Sequence, residues 1–203
     1  MARPACGNLR QLAGMHGRLL RIPGRGDVTR PTQITTERLV LRPFRVGDVD
    51  DALSYRNDVE FAQFLPHIPQ PFTRRDAEAF VSTNMAEPWD RSPTFAVVFE
   101  ERLIGTVNLE VDITTHTAMI GYAIGRAWWG RGLAPEAVRA AMAWAIEEFS
   151  LVRVWASTEL GNIRSQRVLE KVGLRRESEG VADRLGCDGK PVGKVLYGFI
   201  VRS

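Results

Sequence analysis

Residues 128–137 read Trp128-Trp129-Gly130-Arg131-Gly132-Leu133-Ala134-Pro135-Glu136-Ala137, and this stretch decides the fold. Before it, Ala118–Ile124 (AMIGYAI) has the composition of a strand. After it, Ala137, Val138, Ala141, Trp144, Ala145 and Phe149 recur at helical spacing, which predicts a long helix over Leu133–Phe149. The two glycines at the junction permit positive φ and a close approach of backbone to a ligand. The helix start adds unpaired N–H groups and the positive end of the dipole. Strand, glycine turn and helix start together suit an anion such as a pyrophosphate, and equally suit a plain turn that begins a helix. Pro135 removes a donor that would bond nothing within the helix, and Arg131 adds a guanidinium fork for phosphate oxygens. A P-loop is excluded because no Gly-Lys-Ser/Thr ends the motif. A dinucleotide fingerprint is excluded because Pro135 stands where a third glycine is needed.

Working outward, a second cluster follows the next strand, Leu151–Ser157. Asn162-Ile163-Arg164-Ser165 opens a helix that Gly173 stops, with Asn162 as N-cap. A cap at the C-terminal end of a strand also lines the crevice where ligands bind in α/β folds. Toward the N-terminus, Thr94–Phe99 and Leu103–Val111 are strands, and the short link Glu100–Arg102 pairs them antiparallel. Thr73 caps a helix running to about Glu87, with Asp76 in the capping-box position. A proline-rich loop, Pro66–Phe72, precedes it. Asp48 caps a short helix to Arg56, and Arg38–Arg45 (RLVLRPFR) alternates as a strand. The chain ends in a hairpin of about Leu174–Gly180 and Lys194–Val201. The order β-α-α-β-β-β-α-β-α-β-β predicts a mixed α/β fold with helices on the faces of one sheet.

The chain has 203 residues, 44% hydrophobic and 25% charged, which is ordinary for a globular protein of one domain. No apolar run is long enough to cross a membrane, and a cytoplasmic location is expected. Cys6 and Cys187 lie at opposite ends, and His16, His67 and His116 are scattered, so no metal site is expected. Residues 1–33 carry six arginines against Asp27 alone. The remaining 21 basic and 23 acidic side chains leave the body slightly acidic, the reverse of a nucleic-acid-binding domain. The division is therefore a basic, glycine- and proline-rich extension over 1–33 and one domain over 34–203. The extension is read as a flexible segment, with RNA or ribosome contact as the alternative function.

The words TTERLVLRPF, IGTVNLEV, MIGYAIGRAWWGRGLAPEA and ELGNIRSQRVLEKVGLRRE, in this order, resemble the GCN5-related N-acetyltransferases (GNAT), of the ribosomal-protein-alanine acetyltransferase type. The resemblance covers roughly 35–203. It implies a V-shaped mixed sheet in which acetyl-coenzyme A wedges between two splayed parallel strands, here Ala118–Ile124 and Leu151–Ser157. The family's pyrophosphate loop, Gln/Arg-x-x-Gly-x-Gly/Ala, falls on Trp129 to Ala134, with Trp129 departing at the first position. It implies cofactor contacts from Gly130, Arg131, Gly132, Leu133 and Ala134, from the strand edge at Tyr122, Ala123 and Ile124, and from Asn162 and Ser165.

The resemblance further implies transfer of an acetyl group to a primary amine, a protein N-terminal α-amine or a small molecule. The alternative is a coenzyme-A-binding module without catalysis. The tyrosine that serves some members as general acid is replaced here by Leu169, which leaves Ser165 or a water to protonate the thiolate. Glu110 shares strand parity with Asn108 and Asp112 and is the candidate base, with Glu159 and His116 as rivals. Residues 55–72 and Trp89 are expected around the acceptor, with Phe61, Phe64, Phe72 and Trp89 each as core or pocket wall, core being preferred for each. The protein is expected to be a monomer or homodimer.

Overall fold

One eight-stranded mixed sheet carries two helical layers in the computed structural model, which describes residues 31, 33–65, 67–185 and 191–201. Most of the N-terminal extension, with His16, Pro66, Cys6 and Cys187, lies outside the described residues. The strands are β1 (Ile34–Thr35), β2 (Val40–Arg42), β3 (Thr94–Phe99), β4 (Arg102–Asp112), β5 (Thr117–Ile124), β6 (Arg153–Glu159), β7 (Arg175–Leu185) and β8 (Pro191–Ile200). Their spatial order is β1-β2-β3-β4-β5-β6-β8-β7. The helices are α1 (Val49–Arg56), α2 (Val59–Ala62), α3 (Arg74–Ala86), α4 (Leu133–Phe149) and α5 (Ile163–Lys171).

Local chemistry sets these bounds. Thr73 and Asp76 form the reciprocal capping box that starts α3. Asn162 caps α5 by accepting the Ser165 N–H at 3.1 Å. The β3–β4 hairpin turns through Glu100 and Glu101, both at positive φ. Asp48 does not act as the expected side-chain cap of α1. It is buried and takes Arg42 at 2.7 and 2.9 Å and the Arg45 N–H at 2.9 Å, because a 3-10 turn over Val46–Asp48 tucks it under β2. The strand expected over Arg38–Arg45 is correspondingly only Val40–Arg42. The short helix α2, capped by Asp58, lies between the expected helix and the proline-rich loop, where no element is expected. β6 starts two residues later than expected, because Leu151 closes the α4 C-terminus by donating to Ile146 O and is buried there.

The core is divided by the sheet. One cluster joins β-strand side chains to α4 and α5 and includes Leu109, Ile120, Leu133, Val138, Ala141, Leu169 and Tyr197. The other packs α1, α2 and α3 on the opposite face through Tyr55, Phe61, Phe72, Ala77 and Leu103. Val97 pairs with Gly105 while Val98 pairs with Leu103, so Ile104 is an extra residue in β4. This bulge turns Leu103 to the second cluster and Ile104 to the first, and bends the strand. A Cβ on Gly105 would stand 2.3 Å from Ala123 O, so the bulge requires glycine there.

Trp89 is core. Its ring packs edge-on at 4.9 Å from Phe95 and 6.0 Å from Trp144, away from the cleft that an acceptor would enter. Bonds from Leu109 N–H to Pro93 O and from Val111 N–H to Arg91 O continue the β3 side of the sheet and turn Trp89 onto the α4 face.

Candidate active site

The feature that positions the site is a gap in the sheet. β5 and β6 run parallel but pair only at Thr117–Arg153, Ala118–Val154 and Met119–Trp155. Beyond these, Ile120–Ile124 and Ala156–Glu159 diverge, and a cleft of about 910 Å³ opens between them. Backbone groups alternate sides along a strand. Gly125 N–H donates to Ile104 O at 2.8 Å, so Gly121, Ala123 and Gly125 turn their backbone to β4. Tyr122 and Ile124 therefore turn theirs into the gap. Ala123 lines the cleft through its side chain, and its backbone is committed to β4.

At one end of the gap lies the glycine turn. Gly130 and Gly132 have φ of +76° and +77°, as positive-φ glycines at a helix start should. Glu136 is the first residue of α4 whose N–H finds a helical carbonyl, Gly132 O at 3.3 Å. The N–H groups of 130–134 have no partner among the described residues. The turn is held from outside. Glu136 accepts from Thr36 Oγ1 at 2.6 Å and from Arg38 N at 2.9 Å, and Arg38 donates to Arg131 O at 2.9 Å. Burial opposes ionisation of Glu136, but these hydrogen bonds and the Arg38 charge hold its carboxyl below the ordinary range. Trp129, at the departing first position of the motif, donates its indole N–H to Ile124 O at 2.6 Å and ties the turn to the end of β5.

The Arg131 guanidinium does not serve the cleft. It stacks 4.7 Å over Phe99, since Arg131 sits on the outer side of the turn beside the β3–β4 hairpin. Its backbone N–H remains part of the turn. The cations that line the cleft here are Arg164, Arg167 and Lys171, at i, i+3 and i+7 on α5, with Arg164 4.7 Å over the Trp129 ring. Their spacing was visible in the sequence. Their facing of the turn requires the packing of α5 on α4.

The other wall is built by Tyr122 and Ser165. Tyr122 Oη donates to Ser165 O at 3.0 Å or bonds Ser165 Oγ at 2.9 Å. Burial pushes the Tyr122 phenol up to about 12, against the pull of the Ser165 hydrogen bond. It stays a protonated donor throughout the neutral range.

On the α1–α3 side the cleft is lined by Arg56, Phe61, Phe64 and Phe80, and by a polar row on β4, Thr106, Asn108 and Glu110. Glu110 is exposed on this row, and Glu159 lines the cleft from β6. His116 sits at the β4–β5 turn with φ +52°, its Nδ1 3.3 Å from Phe149 O, at the paired end of β5. It does not line the cleft, which removes it as a base. Among the described residues no group of three His, Cys, Asp or Glu side chains could hold a metal.

The residues fit coenzyme A. The turn offers unpaired N–H groups to a pyrophosphate, and the β5 edge offers a ladder to an extended amide-bearing arm. The Acetyltransferase (GNAT) domain family matches residues 38–175. The chain belongs to the GNAT acetyltransferase family. Among GNAT relatives, it is 34% identical to the uncharacterized N-acetyltransferase YnaD of Bacillus subtilis (strain 168) over 146 residues, 71% of this chain and 83% of that one. It is 35% identical to the [Ribosomal protein uS5]-alanine N-acetyltransferase of Escherichia coli (strain K12) over 94 residues, 45% and 47% of the two chains. The crystal structure of a GNAT-family acetyltransferase from Bacillus anthracis superposes with a TM-score of 0.72 at 27% identity, covering 83% of this chain and 98% of that one. As a GNAT enzyme it is an N-acetyltransferase with acetyl-coenzyme A as donor. Among the described residues no helix is long and apolar enough to cross a membrane.

Proposed function

We propose that the acceptor is a protein N-terminal α-amine. The observation that carries this reading is the shape of the cleft. It passes through the gap in the sheet and opens on the far face between α1–α3 and the β4 row, so a chain end can enter opposite the donor. The likeness to a ribosomal-protein alanine acetyltransferase supports it.

The thioester supplies an activated acetyl carbonyl and a thiolate leaving group. The residues of this chain supply the rest. N–H groups of 130–134 hold the pyrophosphate, and gap-facing N–H groups of Tyr122 and Ile124 orient the donor and polarise its carbonyl. Glu110 takes the proton of the ammonium, directly or through a water, since only the neutral amine attacks. Ser165, held by Tyr122, gives a hydrogen bond to the departing thiolate, and the thiolate is then protonated through solvent by the second proton that the nitrogen sheds. Leu169 stands fully buried where some relatives place an acid, so that role is not available to it.

The test is thiol release with N-terminal peptides, internal-lysine peptides and small amines offered side by side. Turnover confined to free α-amines of peptides supports the reading, and turnover confined to small amines overturns it. Glu110→Gln is expected to slow the reaction near neutrality, with the loss shrinking above about pH 8 where an α-amine arrives uncharged. An equal loss at every pH removes Glu110 from the base role.

A further inference from the structure

Arg56 is the last residue of α1 and is buried to 6% exposure on the acceptor side of the cleft. Its guanidinium sits in an aromatic cage, 3.8 Å over the Phe80 ring, 5.2 Å from Phe72 and 5.9 Å from both Phe61 and Tyr55. Its Nε is fully buried and has no hydrogen-bond partner among the described residues, while the guanidinium also reaches the Tyr55 hydroxyl. Among the described residues it forms no ion pair with a carboxylate. Ring faces and the α1 C-terminus offset part of the cost of burying the charge, but they do not accept the Nε hydrogen. A buried cation without a carboxylate partner among the described residues, standing in the wall of a cleft, can take one from a ligand that enters the cleft.

The arginine is also held in place from behind. Gln70 Nε2 donates to Arg56 O at 3.1 Å, and Phe72 N–H donates to Asn57 Oδ1 at 3.1 Å, so the loop after α2 locks the end of α1. Its charge is felt within the cleft wall. His67 is pushed down by burial and then by Arg56, and the Tyr55 phenol, raised by burial, is pulled back by it. The other basic side chains of the cleft, Arg164, Arg167, Lys171 and Lys194, come from α5 and β8. Among the described residues Arg56 is the cleft cation contributed by the α1–α3 layer, so it faces the acceptor rather than the cofactor phosphates.

We infer that Arg56 is a specificity residue that receives a carboxylate of the acceptor while the acceptor amine lies toward Glu110. A planar carboxylate matches the guanidinium fork, and Glu60, Glu87 and Glu110 around the same arm disfavour a more highly charged anion. The substrate class is thus an amine that carries a carboxylate. It is either a chain whose first residues include Asp or Glu, or a free amino acid presenting its own carboxylate. This deepens the acceptor reading given above and rests on the same cleft.

The experiment pairs acceptors that differ by one charge. Thiol release and calorimetric binding to the acetyl-coenzyme-A-loaded or coenzyme-A-loaded protein, respectively, are compared for Ala-Asp and Ala-Asn peptides, Ala-Glu and Ala-Gln peptides, and alanine against alaninamide. The wild-type protein is expected to favour the charged member by about tenfold or more, mostly through KM. Arg56→Gln abolishes that preference while acetyl-coenzyme A affinity changes less than about twofold, and Arg56→Lys restores part of it. Preference among peptides identifies the side-chain source, and preference for alanine the free amino acid. Equal binding and turnover of charged and neutral members by the wild-type protein overturn the inference, even if Arg56→Gln fails to fold. Preference confined to the amino-acid pair leaves Arg56 in place and removes the protein N-terminus as acceptor. Turnover of peptides without preference does the reverse.

Discussion

Tyr122 acts through two different parts of itself. Its backbone turns into the gap, and its phenol crosses to α5 and bonds Ser165. If Ser165 donates to the leaving sulfur, the two residues work as one unit. Tyr122→Phe and Ser165→Ala are each expected to lower kcat by about tenfold, and the double variant by little more than either, as coupled neighbours do. Multiplying losses in a steady-state cycle would separate them. The phenol also has a stability signature. Unfolded, it ionises near its ordinary value of 10.0, whereas folded it holds its proton to about 12. Its contribution is therefore present below pH 10 and declines as pH rises from there through 12, by about 2–3 kcal/mol at most. Tyr122→Phe should flatten part of the alkaline fall in unfolding free energy. At this scale the sequence was legible where geometry is set by local words. The positive φ of Gly130 and Gly132 and the Asn162 cap on the Ser165 N–H could be read from their neighbours. Arg56 and the Tyr122 hydroxyl could not, because each gains its meaning from a partner on another element. Arg131 misled for the same reason, since its side chain belongs to Phe99.

Among the elements, the turn into α4 is where the proposed pyrophosphate contacts lie. A Cβ at Gly130 meets nothing within 4 Å, and one at Gly132 meets only the end of Arg38 at 3.5 Å. The cost of alanine at either position is thus conformational, about 1–2 kcal/mol for a residue held at positive φ. Gly130→Ala and Gly132→Ala should lower the melting temperature by a few degrees and weaken acetyl-coenzyme A binding more than they weaken the fold. Gly47→Ala is the contrast. It has open space and no positive φ, so both readings should stay near wild type. Equal effects on stability and binding across all three would mean that the turn is only a helix start. The elements themselves were largely readable, because the capping box at Thr73, the Asn162 cap and the α4 stripe are statements about neighbours in sequence. The bulge at Ile104 and the buried Asp48–Arg42 pair arise from contacts between strands and layers. No periodicity within one segment encodes them.

For the molecule as a whole, the sheet is two pieces joined at three paired positions. β1 to β5 form one side and β6, β8 and β7 the other, with α4 spanning from the end of β5 to the start of β6. A donor bound along the gap, as proposed, would replace the pairing that β5 and β6 lack, so its binding energy would also be cohesion between the two sides. Saturating acetyl-coenzyme A, at about 100 times its dissociation constant, should stabilise the fold by roughly 2.7 kcal/mol. For a chain of this size that is a rise in melting temperature of about 5–10 °C. The geometry demands a more specific result from amide hydrogen exchange. The Tyr122 and Ile124 N–H groups face the gap, whereas those of Gly121, Ala123 and Gly125 face β4. Without donor, the first pair should exchange faster than the second set, giving an alternation along one strand. With donor, the alternation should vanish, because the gap-facing amides acquire partners. A thermal shift with the alternation intact would place the ligand at the glycine turn but off the β5 edge. The donor would then be held by its phosphates alone, and the carbonyl-polarising role of β5 would fall.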